Sequence, residues 1–493
     1  MAIANLLSLN FLVPFTAAKI DFSRATRGMR GMPRRLLLVG HKLATGSATT
    51  GAISTISTEA DAVEKYGEGS VLVQMWRAAK ANADLGLPID CIAIDTGVSA
   101  VAATSVMAVS TAGSGPNAPG EVMVYIGGVR VAIGVSTVDT AAVIASRLAA
   151  AINANTRLPV TASATTTNVT LTARTAGLIG NDIDLRTVHY PDDKMASGVS
   201  VTTPAFTNGA VAPNVSPVVT AMGLYRATEI VCPFTDSTNM GMLEAEMDAR
   251  WRANNMQDGA ICTAMRGTEA AITTWLNTRN SPHVHTIATT KDCTNPWETA
   301  AMAGAVIESM ANIDPAVPHT DATLVGYMGP RSGEHFLIDQ ANNLLVAGAS
   351  PLRIRQDGTG ALLRMVTNYT QTGSGAADRS MAELAWIKTM SYYRWFVVTE
   401  FMIKYSGYKL AEYIDEPIPG QKIMTRELGE EIMIGIYKNF CDVALCQNPD
   451  YYKKTLVVEV DGPNGKLKVQ DEPVIVTQHY QTEVTSYVVA GHV

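Results

Sequence analysis

One short sequence, IAIDTG, which ends in Asp95-Thr96-Gly97, combines residues that could do catalytic chemistry. An aspartate that follows an apolar strand can share a proton with a second aspartate, and aspartic proteases use a pair of such motifs. This chain carries one copy, so a hydrolase that used Asp95 would have to be a dimer. Because Asp and Gly are also common where a strand ends in a turn, an aspartic-protease-like hydrolase stays only an alternative interpretation.

Two histidines, His283 and His285, alternate within the apolar stretch HVHTIAT, so both side chains are expected on one side of a strand. Imidazoles at that spacing could hold a metal ion, but two ligands do not complete a site. Cys262, Cys293 or His335 would have to converge with them. An ordinary pair of hydrogen-bonded histidines is therefore favoured, and no metal site is predicted.

The glycine-rich stretches do not have the spacing of phosphate-binding loops. Gly40, Gly46 and Gly51 follow the first predicted strand but do not make G-x-G-x-x-G. The sequence GPNGK at 462–466 is two residues short of a P-loop, and G-x-S-x-G occurs nowhere. The sequence therefore predicts no cofactor and no enzyme.

Composition predicts a folded chain of several domains. Of its 493 residues 47% are hydrophobic and 17% are charged, and the net charge of −7 argues against a nucleic-acid-binding protein. The six cysteines form no C-x-x-C pair, which is typical of reduced thiols. The apolar start, MAIANLLSLNFLVPF, lacks a basic residue before Lys19 and is too short for a membrane span. Its alternation from Leu9 to Phe15 predicts an extended arm that needs a protein partner, without membrane insertion.

Apolar runs and helical stretches alternate along much of the chain. Five runs, LLLVG, IDCIAID, TEIVCPF, GAICTAM and HVHTIAT, are separated by helical sequence, and one such helix is predicted from Ser57 or Thr58 to Asn82. This order predicts an α/β core, a mostly parallel sheet with flanking helices. It is interrupted by a Thr-, Val- and Ala-rich stretch in which Gly127-Gly128 marks a β-hairpin, so an inserted, mainly β domain is expected.

The last third of the chain predicts an α+β domain. NNLLVAG (342–348) and PLRIRQDGTGALLRMVTNYT are expected to be antiparallel strands, followed by a helix with a capping box at Ser380 to Glu383. A second helix is predicted near Thr425 to Cys446, with one continuous apolar face formed by Leu428, Ile432, Ile436, Phe440 and Val443. The sequence from Thr455 onward is strand-like almost throughout. The predicted units are a 1–25 N-terminal arm, an α/β core domain from 26–97 and 218–341, an inserted domain at 98–217, a C-terminal α+β domain at 342–470 and a 471–493 C-terminal arm.

Taken in order, several segments resemble the tail sheath proteins of contractile bacteriophages, closest to the Mu-like group. The resemblance covers nearly the full length and rests on LVPFTAAKIDFSRATRG, GSVLVQMWRAAKAN, VYIGGVRVAIGVSTVDTAAVIASRLAAAINANTRLPVTA, VTLTARTAGLIGNDIDLR, EIVCPFTDSTNMGMLEAEMDARW, NTRNSPHVHTIAT and LRMVTNYTQTGSGAADRSMAELAWIKTMSYYRW.

The resemblance implies a non-enzymatic subunit of a homo-oligomer, in which stacked hexameric rings form a helical sleeve around a tail tube. Contraction of the sleeve would drive the tube through the host envelope. The implied partners are further copies of the chain, the tail tube protein, and the baseplate and tail terminator proteins. The implied location is the virion tail, with assembly in the host cytoplasm. Another phage or secretion-system structural polymer is the alternative.

The same resemblance implies that the N- and C-terminal arms pass to neighbouring subunits and complete a small sheet, and that a C-terminal helix touches the tube. The expected arm contacts are Leu9, Phe11, Val13, Phe15, Val474, Val476, Val484, Tyr487 and Val489. The helix at 425–446 is expected to face the tube, with Arg426, Glu427, Glu430 and Lys438 as candidate contacts; a helix that exposes its charged face to water is the alternative.

Overall fold

The computed structural model describes residues 29–414 and 420–487. Its strands, in chain order, are β1 (Leu36–His41), β2 (Ile53–Thr55), β3 (Ile89–Ile94), β4 (Ala102–Thr111), β5 (Gly120–Ile126), β6 (Val129–Val135), β7 (Val160–Thr165), β8 (Asn168–Ala176), β9 (Leu185–Arg186), β10 (Val199–Val201), β11 (Glu229–Val231), β12 (Ala260–Arg266), β13 (Val284–Thr289), β14 (Ala349–Ile354), β15 (Gly360–Leu362), β16 (Lys409–Leu410), β17 (Ile423–Met424), β18 (Val457–Asp461) and β19 (Lys466–Gln470).

The α-helices of the described residues are α1 (Glu59–Tyr66), α2 (Val71–Asn82), α3 (Ala141–Ala154), α4 (Ser216–Met222), α5 (Ser237–Trp251), α6 (Glu269–Leu276), α7 (Pro296–Ile313), α8 (Ile338–Ala347), α9 (Leu384–Lys404), α10 (Arg426–Asp442) and α11 (Pro449–Thr455). Short 3-10 helices lie at Leu178–Asp182 and Gly462–Asn464.

An eight-stranded sheet forms the centre of the fold, in the order β15-β14-β13-β12-β11-β1-β3-β2. The neighbours from β14 to β3 pair in parallel, and only the two edge strands, β2 and β15, pair antiparallel. Strands β1, β3 and β13 are buried along their whole length, as expected for continuous apolar runs in a covered sheet. The predicted mostly parallel sheet with helices is confirmed.

The first helical stretch is divided in two, where a single helix was predicted. Thr58 caps α1 by accepting a hydrogen bond from the backbone N–H of Asp61, as expected from the sequence. The Gly67-Glu68-Gly69 sequence then ends α1, and Ser70 caps α2 by accepting from the N–H of Val73. Glycine is a poor helix former, which explains why the chain turns here.

The inserted stretch between β3 and α4 forms two small sheets and one helix. One sheet has the order β10-β4-β8-β7 and the other β6-β5-β9, and α3 packs against β6 and β7. The predicted hairpin is confirmed: β5 and β6 pair from Gly120 and Val135 to Ile126 and Val129, around Gly127-Gly128. The domain limits 98 and 217 stay predictions.

Two local predictions in the last third are wrong. NNLLVAG belongs to α8 and is not a strand, because Gln340 accepts a hydrogen bond from the N–H of Leu337 and stabilises the first turn of a helix that buries Leu344. Ser380 and Glu383 form no capping box, because their side chains bond to Asp378 and Arg364 instead and α9 begins only at Leu384.

Strands β14 and β15 extend the large sheet, although their sequence was assigned to the C-terminal α+β domain at 342–470. They pair antiparallel from Leu352 and Leu362 to Ile354 and Gly360, with a turn at Gln356 to Gly358 between them. The limit at residue 342 stays a prediction, but the strands after it contribute to the same hydrophobic core as the large sheet, through Leu352, Ile354 and Leu362.

A second hydrophobic cluster lies under α9, α10 and α11. Tyr392, Tyr393 and Phe396 of α9 surround Phe440 of α10, with ring centroids 5.0 to 5.4 Å apart. This packing confirms the predicted apolar face at Ile432, Ile436 and Phe440, but Val443 is 47% exposed because α10 ends at Asp442. The helix predicted at 425–446 is thus α10, with Thr425 as its cap. We call the part of the chain built on this cluster the C-terminal lobe: α9, α10, α11, β18 and β19.

Among the described residues, no helix combines the length and the apolar character that crossing a membrane would require.

Candidate functional site

Asp95, the aspartate of the IAIDTG motif, lies exposed at the end of β3. Its carboxylate accepts a hydrogen bond from the Thr50 hydroxyl (2.9 Å), and the chain then turns into the inserted stretch. This is the arrangement of an aspartate that terminates a strand. The hydrogen-bond partner of Asp95 is thus a hydroxyl group, which gives no support to a proton shared with a second aspartate.

The two predicted histidines do not share a site. His283 precedes β13 and places its Nε2 3.4 Å from an Asp248 carboxylate oxygen, with its ring against Trp251. His285 instead donates from Nε2 to Oε1 of Glu229 (2.5 Å), in a fully buried pair. Of the residues considered as further ligands, Cys262 joins His285 and Glu229, whereas Cys293 contacts His189.

His285 belongs to a buried cluster of charged groups between the large sheet and α9. Lys388 of α9 donates to Glu308 of α7 (2.6 Å), to Glu229 at the start of β11 and to the carbonyl oxygen of Thr228 (3.2 Å). Arg34 adds a second bond to Glu308 (3.1 Å). We call Arg34, Glu229, Glu308 and Lys388 the ion cluster; every side chain in it is at most 5% exposed.

Mutual attraction keeps Lys388 and Glu308 charged. Burial alone would lower the pKa of Lys388, but the carboxylates of Glu229 and Glu308 outweigh it and raise that pKa. Burial would likewise raise the pKa of Glu308, yet Lys388 and Arg34 hold it below its usual range. Two cations and two anions balance, so the cluster fixes α9 to the sheet without net charge.

Glu229, Cys262 and His285 are the described residues that come nearest to a metal site, with one ligand atom from each within 4.8 Å of the others. Their bonds do not favour an ion. The Cys262 thiol donates to the Ala300 carbonyl oxygen (3.4 Å), and burial raises the pKa of that thiol. A divalent cation would also add positive charge beside Lys388, whose own charge is already compensated by Glu229 and Glu308.

The carboxyl ends of β12 and β13, where open parallel sheets commonly bind ligands, are occupied by the inserted stretch. Its hairpin turn has positive φ at Gly127 (54°) and Gly128 (81°), and a Cβ at Gly127 would lie 2.5 Å from Nδ2 of Asn295. Arg266 at the end of β12 donates to the carbonyl oxygens of Asp182 and Thr294 (2.6 Å each). The insertion therefore fills this edge with protein.

Burial raises the pKa of two titratable groups at that edge. The pKa of the Cys293 thiol, which contacts Nδ1 of His189 (3.2 Å), rises to about 12, and the pKa of Glu298 rises to about 7. A thiol in that state is a poor nucleophile. The arrangement stabilises the contact between insertion and sheet.

The C-terminal lobe presents a small hairpin with open edges. Strands β18 and β19 pair with each other, and in the part of the chain that the structure describes no further strand pairs with either outer edge. The hairpin packs on α10, where a Cβ at Gly429 would meet Val458 and Leu467 at 3.1 Å. Two-stranded sheets are marginal alone, and unpaired strand edges can accept further strands.

The predicted C-terminal arm divides into a docked and an exposed part. The carbonyl oxygen of Val474 accepts from the N–H of Gln447 (2.9 Å), and the N–H of Val476 donates to Leu445 (3.2 Å), so both valines lie along their own chain. Val484 and Tyr487 are 79% and 88% exposed. The remaining predicted arm contacts, Leu9, Phe11, Val13, Phe15 and Val489, lie outside the described residues.

The predicted tube contacts lie on the outer side of α10. Arg426, Glu427 and Lys438 are exposed, and Glu430 is half-buried and bonded to Arg426 (3.0 Å). These side chains are thus accessible, which both the predicted tube contact and the alternative, a charged face exposed to water, require.

Sequence reasoning missed the ion cluster. A signal was present, because Glu229, Glu308 and Lys388 are single charges inside apolar runs (TEIVC, AVIES and AWIKT). Such charges are rarely buried without a partner. The partners themselves could not be identified, since Arg34 and Glu308 are 274 residues apart in the chain.

The described residues thus form an α/β core whose ligand edge is filled by its own insertion, and a lobe whose hairpin pairs with no further described strand. The family model for the phage tail sheath protein central domain matches residues 200–368. The Mu-like prophage FluMu tail sheath protein of Haemophilus influenzae is 30% identical over 453 residues, 92% of each chain. The chain belongs to the Mu-like family of phage tail sheath proteins, and its function is that of a contractile tail sheath subunit.

Solved structures with a similar course of the chain are also sheath proteins. The sheath tail protein of Desulfitobacterium hafniense is 11% identical, with a TM-score of 0.46 over 93% of this chain and 100% of that one. The sheath tail protein of Listeria innocua is 10% identical, with a TM-score of 0.48 over 92% and 94%. The contracted helical sheath of the anti-feeding prophage is 10% identical, with a TM-score of 0.47 over 97% and 99%.

Proposed function

We propose that the chain polymerises as stacked hexameric rings in a helical sleeve around the tail tube, and that shortening of the sleeve drives the tube through the host envelope. The observation that carries this proposal is the hairpin β18–β19, whose two outer edges are unpaired among the described residues. Extended arms from neighbouring copies would add strands there, so that backbone hydrogen bonds join the subunits.

The arms supply the apolar side chains for that contact. At the N-terminus these are Leu9, Phe11, Val13 and Phe15, which alternate as strand residues do. At the C-terminus the segment 481–487 is exposed throughout and presents Val484 and Tyr487 to a neighbour. Head-to-tail contacts that do not close on themselves generate helical arrays, as a sleeve requires.

Shortening of the sleeve needs no nucleotide under this proposal. Energy would be stored as a less favourable packing of the same subunit surfaces and released when a change in one ring biases the next. The baseplate and tail terminator proteins would contact the two ends of the sleeve in the virion tail, after assembly in the host cytoplasm. The C-terminal lobe would face the tube through the outer side of α10.

Deletion of residues 1–20 tests the arm proposal. The shortened chain should stay folded and soluble, because the described core begins beyond these residues, but it should no longer form sleeves in negative-stain micrographs. A deletion of residues 2–8 is the matched control, since it removes chain length and keeps Leu9 to Phe15, and it should polymerise. Normal sleeves from the longer deletion would refute strand donation by this arm.

A further inference from the structure

A glycine lies in the middle of α10 with no packing reason among the residues that the structure describes. Gly435 is exposed, and a Cβ placed on it would meet nothing within 4 Å. Glycine is the least favourable residue in a helix interior after proline. Gly429 of the same helix is explained, because the hairpin β18–β19 packs directly on it. The described part of the chain thus accounts for Gly429 and leaves Gly435 unexplained.

Gly435 lines a groove between α9 and α10 with a volume of about 410 Å³. Its α10 wall is formed by Leu428 and Ile432 beside the glycine, and its α9 wall by Tyr405 and the ion pair of Lys404 with Glu400. The groove combines apolar side chains with charged groups at its border. Such a surface suits one protruding apolar side chain surrounded by polar contacts.

The surface around the groove is acidic. Glu431 lines the groove, and the exposed positions of α10 on the same side of the helix also carry Glu427, Asp442 and Lys438. Among the described residues none of these four forms an ion pair. Three carboxylates and one ammonium group favour a partner with basic groups at this surface.

The hairpin side of α10 and the groove side are different faces of the helix. Positions 429 and 435 are six residues apart, so they point in directions that differ by more than a right angle. Under the proposed function, neighbouring copies bind at the hairpin, which leaves the groove face for the second partner class of a sheath, the tube.

We propose that the groove between α9 and α10 receives a protruding apolar side chain of the tail tube, flanked on the tube by basic groups, and that Gly435 allows the tube to approach the helix backbone. This inference rests on the proposed function, which makes α10 the tube-facing helix. It adds the position, the shape and the charge of the contact.

The substitution Gly435→Ala separates the folding of the subunit from its binding. The added methyl group meets none of the described residues within 4 Å, so the variant should unfold at a higher temperature than wild type. On the tube the same methyl group would separate the two surfaces, so co-sedimentation of the full-length sheath protein with purified tail tubes should fall at least about tenfold. Gly241→Ala is the matched control: Gly241 lies inside α5, also with nothing within 4 Å of a Cβ, and the variant should bind tubes normally.

Three outcomes would overturn the inference. Normal tube binding by Gly435→Ala means that the groove is not the contact. Loss of polymerisation in the absence of tubes means that a second copy of the chain occupies the groove. A lowered unfolding temperature means that the glycine is required by the subunit itself.

A charge-reversed variant, Glu427→Lys with Glu431→Lys, distinguishes failure of the inference from failure of the proposed function. Weaker tube binding by this variant but not by Gly435→Ala would retain α10 as the tube-facing helix and reject the groove. Normal binding by both variants would reject α10 as the tube-facing helix and, with it, the inference.

Discussion

Replacing Lys388 by Met should destabilise the subunit severely, because it removes the central cation of the ion cluster. Lys388 is 5% exposed and bonds two carboxylates that are fully buried. After the change, Arg34 still compensates Glu308, but Glu229 keeps only the imidazole of His285. Removing one partner of a buried charge pair costs about 3–5 kcal/mol, so we expect a loss of unfolding free energy of that size.

The assay is urea unfolding of the full-length chain at concentrations where it is monomeric, followed by circular dichroism. Lys404→Met is the control, because Lys404 sits on the same helix, is 56% exposed and pairs with Glu400 one turn away. Exposed i,i+4 pairs on a helix contribute about 0.3–0.5 kcal/mol. Because the Glu400 side chain is only 9% exposed, the loss for Lys404→Met should lie above that range, yet well below the loss for Lys388→Met, which leaves a fully buried carboxylate. Adding Glu229→Gln to Lys388→Met should recover part of the loss, since it removes the uncompensated charge. Equal effects of Lys388→Met and Lys404→Met would refute the argument.

Two further predictions concern acid and the inserted hairpin. Burial lowers the pKa of His319 to about 3. As pH falls from about 6.5 towards 3, the unfolded chain therefore binds a proton at this residue before the folded chain does, and the folded state should lose stability. Thermal unfolding of wild type and His319→Asn between pH 7 and 4 measures this loss, and an equally steep loss in the variant would contradict the prediction. Gly127→Ala should lower stability by about 1–2 kcal/mol or more, because a left-handed conformation is unfavourable for alanine and the methyl group would clash with Asn295. Gly134→Ala, where a Cβ meets nothing within 4 Å, should be close to neutral, and equal unfolding midpoints for the two variants would contradict the packing of the hairpin on the sheet.

Local patterns in the sequence were sufficient for the sheet, the hairpin and α10. Continuous apolar runs separated by helical sequence predicted the parallel strands, and Gly127-Gly128 predicted the turn, because each signal lies within a few residues. The apolar residues of α10, four or three positions apart, likewise predicted its buried face. These features depend on neighbours along the chain.

Features that depend on distant partners were missed or placed wrongly. The ion cluster joins residues from before β1, from β11, from α7 and from α9, and no short pattern connects them. NNLLVAG was predicted as a strand, whereas the bond between the Leu337 N–H and the Gln340 side chain stabilises a helix there. Ser380 has the spacing of a helix cap, yet its hydroxyl donates to the Asp378 carboxylate (2.7 Å) and caps no helix.

Most candidate assembly contacts were predicted by resemblance; only the need of the segment Leu9 to Phe15 for a protein partner followed from its apolar alternation. The hairpin edges and the exposed residues Val484 and Tyr487 supply physical support for strand exchange, because both leave strand-forming groups without partners among the described residues. The groove at Gly435 could not be foreseen, since a surface glycine in a helix has meaning only once the space around it is known.

The most direct test of strand exchange between subunits is a high-resolution electron-microscopy reconstruction of polymers formed by the purified full-length chain. We predict a hollow sleeve in which β18 and β19 are the inner strands of a larger sheet, with outer strands contributed by the arm residues Leu9 to Phe15 and by the C-terminal segment of other copies. A sleeve in which the hairpin remains two-stranded and the arms pack on their own subunit would contradict it.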